Sequence, residues 1–542
     1  MLHGIAVSMK RLIIIFLIFC SSTYGHGQTH LRGWHLSNFE KSGYYGINLE
    51  QAYDFIREKQ LKPAPVIVAI LDDGIDTSHE DLRSVLWVNK KEIAANGIDD
   101  DKNGYVDDLH GWNFLGNAAG RNVGSNSSEW IRVYWRYKSL YEGNNVDTAQ
   151  LSREQKYQYA NWVKARSGVV GKGMKPAELE NLQTYLSNAQ FADSILQRRL
   201  ASTEFTQKQL EMFQPATELD KEVKKFFLEV FGQFNVPDIP NTLALNELST
   251  YVLGQVRTAS GDKVPPEDNR RDITGDDESK WEGSMYGNSD VSNGELMHGT
   301  HLAGIIAADR RNGVGIHGIA ENVQVMMVRT SAEGDEYDKD IAKGIRYAVD
   351  NGAKIINMSF GKSLSPDKTF VDAAVKYALQ KDVLIVQAAG NSKRNIDGFD
   401  NFPNPRYLYG DSLAPNWITV AASDTVGNKA EFSNFGPALV DVLAPGVAIY
   451  STIPTGNKYM SWDGTSMAAP VVSGIAAMLR SHFPRLSAPE IKAVLTSSVT
   501  YPHTQSGQST ALNEQTLKKW SNTGGIVNAA TAMKLAFERA QK

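Results

Sequence analysis

The stretch Ser461-Trp462-Asp463-Gly464-Thr465-Ser466-Met467-Ala468-Ala469-Pro470 decides how the chain is read. A polar turn holding one glycine runs into an almost unbroken series of small and apolar residues, Met467 to Leu479. A segment apolar on every side is buried rather than amphipathic, so the series reads as a helix in the middle of a domain. Ser466 falls in its first turn, where unpaired N–H groups and the positive end of the dipole favour negative charge. A serine there is either a helix cap or a nucleophile. A nucleophile needs a base, and the base needs a group to orient it, so the rest of the chain decides between the two.

Two other segments supply such groups. Met297-His298-Gly299-Thr300-His301-Leu302-Ala303-Gly304 opens a second small-residue helix on histidines. Val66-Ile67-Val68-Ala69-Ile70-Leu71 is a continuous apolar, β-branched run, expected as a central parallel strand covered on both faces. It ends at Asp72-Asp73-Gly74, and an acid at the carboxyl end of such a strand lies where open α/β sheets keep their active sites. Taken alone, that carboxylate serves equally as a cap for the next turn. Further strands are expected at 323–328, 353–358, 383–388, 417–421 and 440–443, with helices at 49–59, 338–351, 489–497 and 527–540. The alternation argues an α/β fold built on a doubly wound, mostly parallel sheet.

Between the acid and the histidine the character changes. Residues 115–286 show helical spacing, as in Leu182, Tyr185, Leu186 and Ala189, with a capping box at Ser152-x-x-Gln155 and a first-turn proline at Pro176. They read as a large, mostly helical insertion between two parts of one core domain, 66–114 and 287–542. The acidic end of the insertion, with Asp272, Asp276 and Asp277, is either a cation site or a solvated loop. Residues 28–65 read as an N-terminal arm. At the start, Lys10 and Arg11 precede the apolar run Leu12 to Phe19, the pattern of an export signal over 1–27. That run is too short to span a bilayer, so a mature chain without a transmembrane anchor is expected, exported to periplasm, cell surface or medium. Cys20 is the only cysteine, which leaves the mature chain without disulfides. With 56 basic against 61 acidic residues and a net charge of −5, nothing calls for nucleic acid or an anionic membrane as partner.

Asn96-Gly97-Ile98-Asp99-Asp100-Asp101-Lys102-Asn103-Gly104-Tyr105-Val106-Asp107-Asp108 carries oxygen ligands at alternate positions with a glycine for the turn. Asp99, Asp101, Asn103 and Asp107 suit Ca²⁺, a hard ion taking 6–8 oxygens. The alternative is a solvated acidic turn.

The signatures Asp72-Asp73-Gly74, His298-Gly299-Thr300-His301 and Gly464-Thr465-Ser466-Met467-Ala468-Ala469-Pro470 resemble those of the subtilisin-like serine peptidases, whose chain order is Asp, His, Ser. The resemblance covers about 66–114 and 287–540. It implies that Asp72 orients the base, His298 is general base and acid, and Ser466 attacks the peptide carbonyl, while His301 is structural. Ala388-Ala389-Gly390-Asn391 resembles the oxyanion segment, which makes the Asn391 amide the donor to the developing oxyanion rather than a buried structural amide. Ser359, Phe360 and Gly361, with Ala388 and Gly390, correspond to the walls of the pocket for the residue before the scissile bond. Arg329 to Gly334 corresponds to an edge strand that pairs with substrate main chain. Asp81 and Asn312, helped by carbonyls near Val314 and Ile316, resemble a calcium site of the family. The expected protein is an exported, calcium-stabilised serine endopeptidase acting on protein or peptide substrates. Two alternatives stand beside it: a narrow processing protease selected by the insertion, and an inactive binding protein on the same fold. Two departures mark the chain: 226 residues separate Asp72 from His298, and no pro-domain is recognisable.

Overall fold

Nine strands organise the described residues: β1 Val66–Asp72, β2 Gly111–Asn113, β3 Val323–Arg329, β4 Ile355–Met358, β5 Leu384–Ala388, β6 Trp417–Ser423, β7 Val442–Pro445, β8 Ile449–Ile453 and β9 Lys458–Trp462. The first seven form one sheet in the order β2-β3-β1-β4-β5-β6-β7, and β8 pairs with β9. Every pairing in the large sheet is parallel, while β8 and β9 are antiparallel. The computed structural model describes residues 31–234, 239–283, 285–292, 297–410, 412–454, 458–502 and 517–541. The export segment expected over 1–27, with Cys20, lies outside the described residues.

The sheet is continuous because its strands are apolar on both faces. Six of the seven residues of β1 are buried, and Val68 to Leu71 lie in register with Val325 to Val328 on one side and Ile355 to Met358 on the other. The chain reaches out to β2, returns to β3 beside β1, then crosses to β4 and continues in one direction to β7. The order therefore reverses around β1, and Asp72 ends the strand at that switch point, where crevices open in such sheets.

The Ser466 helix, Thr465–His482, packs against β4 to β7 and against the helix Met297–Ala307. Nearly all of its residues are buried, as an all-round apolar sequence demands. Gly474 admits Ile319, since a Cβ there would stand 2.8 Å from the Ile319 Cβ. One expectation needs correction. Ser461 and Trp462 belong to β9, not to a turn, because Trp462 and Ser461 pair with Ile449 and Tyr450; only Asp463 and Gly464 remain as the link. The helix Lys368–Gln380 escaped the sequence reading altogether.

The chain divides into two compact units. Among the described residues, one is Trp130–Glu267 and the other holds 31–129 and 268–541. The first is helical: Arg153–Val169, Pro176–Leu200, Gln207–Met212, Glu218–Phe231 and Asn241–Ser260 follow most of Glu129–Tyr141. Ser152 and Gln155 form the expected capping box, Pro176 stands in the first turn, and Leu182, Tyr185 and Ala189 are buried. This unit is narrower than 115–286, because the flanking stretches 115–129 and 268–286 pack in the sheet unit. Of the acids at the end of 115–286, Asp276 and Asp277 meet the protein's own cations. Fully buried Arg270 binds Asp340 at 2.6 Å and Asp276 at 2.8 Å, Lys339 reaches Asp276 at 2.6 Å, and Lys280 reaches Asp277 at 3.1 Å.

Candidate active site

The Met297–Ala307 helix delivers His298 to the carboxyl end of β1, where His298 Nδ1 lies 2.7 Å from Asp72 Oδ1. The Asp72 carboxylate also accepts the Asp73 N–H at 2.9 Å, and its main-chain oxygen accepts from Thr330 and Ser331. Burial works against charging the imidazole. The Asp72 charge and hydrogen bond outweigh it, with help from Asp73, and raise His298 from 6.5 to about 9. His301 is fully buried, which pushes it down to about 3, and its Nε2 meets the Met460 carbonyl of β9 at 3.0 Å. It ties helix to hairpin.

Ser466 stands where the helix has a gap. Pro470 has no N–H, so the carbonyl four residues earlier, that of Ser466, gets no helical partner. It accepts from Ser359 Oγ at 3.0 Å, and Ser466 Oγ donates back to the Ser359 carbonyl at 3.0 Å. This reciprocal pair clamps the Ser466 helix to the end of β4. In this rotamer no hydrogen bond joins Ser466 Oγ to the His298 ring.

Thr465 connects the helix to the segment after β5. Its N–H and hydroxyl donate to Asn391 Oδ1 at 2.9 and 2.8 Å, and its hydroxyl oxygen accepts the Gly390 N–H at 3.0 Å. With its oxygen held, the Asn391 amide is fixed, and among the described residues its Nδ2 makes no hydrogen bond. Gly390 adopts φ +94°, and a Cβ there would come 2.6 Å from Asn434 Nδ2, so neither conformation nor space admits a side chain. Ser359 and Ala388 are buried, Phe360 is half-buried and Gly361 exposed. Asn401, which the sequence reading missed, lies between the two glycines: its Oδ1 is 3.0 Å from a Cβ built on Gly361 and 3.7 Å from one built on Gly390. No local pattern singled it out; only folding brings 361, 390 and 401 together.

The model of the Subtilase family matches residues 64–519. The chain belongs to the subtilase family. It is similar to "Thermophilic serine proteinase" of Bacillus sp. (strain AK1), 44% identical over 34% of this chain and 43% of that one. It is similar also to "Alkaline elastase YaB" of Bacillus sp. (strain YaB), 39% identical over 40% of this chain and 52% of that one. The chain spans about half the length of these curated relatives. Among solved structures, a match to proteases from Pseudoalteromonas arctica covers 93% of this chain and 98% of that one at 18% identity, with a TM-score of 0.46.

In this subtilase the segment expected as an open edge strand is half closed. Arg329 ends β3, but Thr330 to Gly334 form no strand. Glu333 bridges Ser125 in parallel, with the Asn126 N–H on the Glu333 carbonyl at 2.6 Å, so one edge is already paired.

The candidate metal ligands separate into two places. Asp81 is fully buried, and its carboxylate meets the Asn312 amide, the Ile316 N–H at 2.9 Å and the Tyr459 hydroxyl at 2.9 Å. A Cβ on Gly315 would stand 1.9 Å from Asp81 Oδ2, so the loop is a cradle closed around that oxygen, in which Asp81 is the carboxylate and the surrounding N–H and O–H groups donate to it. In the acidic loop, Asp99 and Asp101 converge with Glu92, which the sequence reading missed; their ligand atoms lie within 4.8 Å of one another. Asn103 sits beside them, its N–H on Asp99 and Asp101, its amide nitrogen on Asp108. The Asp107 carboxylate accepts the Asn96 and Gly97 N–H groups at 3.1 and 2.9 Å and so caps that turn. Glu92 in turn receives the Asp101 and Asp107 N–H groups, each at 3.1 Å.

Proposed function

We propose that this subtilase is an exported serine endopeptidase with Ser466 as nucleophile, His298 as general base and acid, Asp72 as its orienting carboxylate and Asn391 as oxyanion donor. The observation that carries the reading is the 2.7 Å contact of His298 with Asp72, with the other imidazole nitrogen left for a substrate-bound Ser466. Rotation about the Ser466 Cα–Cβ bond exchanges the Ser359 carbonyl for that nitrogen, a change of acceptor that a bound peptide favours; catalytic hydrogen bonds commonly close only in the substrate complex. As Ser466 Oγ bonds to the peptide carbonyl carbon, His298 takes its proton and Asp72 stabilises the imidazolium. The negative charge moves to the former carbonyl oxygen, toward Asn391 Nδ2, whose orientation Thr465 holds. His298 then gives the proton to the leaving amine nitrogen, the C–N bond breaks, and an ester on Ser466 remains for water to hydrolyse.

Ser359, Phe360, Gly361, Ala388 and Gly390 are the proposed pocket for the residue before the scissile bond, with Asn401 closing it. Ser331 to Gly334 are proposed to pair with substrate main chain on the edge that Ser125 leaves free. The proposed organisation is a catalytic domain of 66–114 and 287–542 interrupted over 115–286. Calcium is proposed as a structural ion held by Asp81 and Asn312 and by Glu92, Asp99, Asp101 and Asn103, where it would neutralise gathered carboxylates. No helix among the described residues is long and apolar enough to cross a membrane, which is compatible with export. A fluorophosphonate probe tests the reading: the wild type is expected to be labelled and Ser466→Ala is not, and an unlabelled wild type would overturn it.

A further inference from the structure

Two carboxylates, consecutive in sequence, hold one histidine. Asp72 takes its ring. Asp73 takes its main chain: Asp73 Oδ1 accepts the Gly299 N–H at 2.8 Å and Oδ2 the His298 N–H at 3.3 Å. These are first-turn groups of the Met297–Ala307 helix that no helical carbonyl satisfies. The turn carrying Asp73 is itself fixed, because Arg329 Nε donates to the Asp73 carbonyl at 2.7 Å while its Nη1 donates to the Asp290 carbonyl at 3.2 Å. The helix start lies directly on that turn: a Cβ on Gly299 would be 2.2 Å from the Gly74 carbonyl oxygen and 3.1 Å from Asp73 Oδ1.

We propose that Asp73 is a positioning residue for the general base, fixing the backbone of His298 while its negative charge stabilises the imidazolium. The inference rests on the reading of His298 as that base. Without Asp73 the ring would still reach Asp72, but from a helix start with two free donors and one charge fewer beneath it. The groups facing Asp73 are Asp72 from its own strand, His298 from the helix and Arg329 from the end of β3; Asp290 acts on Arg329, and Glu336 adds to the field at His298. Burial and then the Asp72 charge lift the Asp73 carboxyl to about 7. Asp73 is therefore ionised across the alkaline range in which His298 titrates, and its charge is present when the base changes state.

The test uses the Ser466→Ala full-length chain, which cannot digest itself, and follows the His298 ring resonances against pH. Asp73→Asn removes the charge and keeps one acceptor; Asp73→Ser removes the charge and keeps a good cap. In both, the His298 midpoint is expected to fall by roughly one pH unit. In the active chain the acid limb of kcat should move down by the same amount with KM little changed. Unchanged midpoints with only a lower melting temperature would overturn the proposal and leave Asp73 an ordinary cap. Should neither variant fold, the parent alone decides: the His298 resonance is expected to show a second inflection as Asp73 protonates, and a single smooth titration counts against it. Fluorophosphonate labelling of the wild type reports the hydrolase reading separately, so the two ideas can fail independently.

Discussion

In the proposed mechanism His298 has to be neutral to accept the Ser466 proton, so its raised value has a direct consequence. The imidazolium predominates below the folded value, which lies near 9 rather than 6.5, and activity is lost as pH falls through it. The acid limb of kcat/KM is therefore expected on the alkaline side of neutrality, and a limb at pH 6 would contradict the Asp72 and Asp73 contributions. Asn391→Leu keeps the volume and removes the donor; kcat should drop ~10²–10³-fold with KM nearly unchanged, a range established on subtilisin itself. At this scale the sequence was readable where chemistry is written locally. Asp72, His298 and Ser466 each sit at an element's end, beside the small residues that let two helices approach the sheet. Glu92 and Asn401 carry no such mark: one lies outside the acidic loop it joins, the other in a poorly patterned stretch after β5. Asp107 shows a carboxylate of the acidic turn binding its own backbone.

Elements carry the second set of consequences. The helix bearing His298 approaches β8 closely at Gly304, where a Cβ would stand 2.3 Å from Thr452 Oγ1 and 2.4 Å from Ser451 Oγ. Those hydroxyls cannot withdraw freely, because each donates at 2.7 Å to a carbonyl of the same helix, Thr300 and His301. Gly304→Val is expected to destabilise by about 1–3 kcal/mol through overpacking. By displacing the helix it should also lower kcat, which steady-state kinetics on the folded fraction will detect. The buried pairs around Arg270 give a larger effect. Arg270→Met leaves Asp340 without its cation inside the protein, and breaking a buried pair from one side costs about 3–5 kcal/mol, readable by denaturant titration. Long apolar strands such as β1 were legible because they are covered on both faces. The three-residue β2 and the half-exposed β9 were not, since neither is long or apolar enough to announce a strand.

The molecule as a whole has to remain folded with no cysteine beyond Cys20, with carboxylates gathered in the acidic loop and with Asp81 buried. Gathered charge of one sign repels, and exposed Lys91 reaches Asp101 only at 3.8 Å, so a cation joining Glu92, Asp99 and Asp101, which lie within 4.8 Å of one another, would stabilise the loop. An ion bound only by the folded state stabilises it by RT ln(1 + [L]/Kd), about 2.7 kcal/mol at a hundred times Kd. Millimolar Ca²⁺ is thus expected to raise the melting temperature of the Ser466→Ala chain, chosen so that self-digestion does not imitate unfolding, and EDTA should lower it. The paired substitution Asp99→Asn with Asp101→Asn should remove part of the calcium response, and what remains should disappear with Asp81→Asn. A melting temperature indifferent to both calcium and EDTA would rule out the two sites together. A response left intact by Asp99→Asn with Asp101→Asn would assign it to the Asp81 cradle alone.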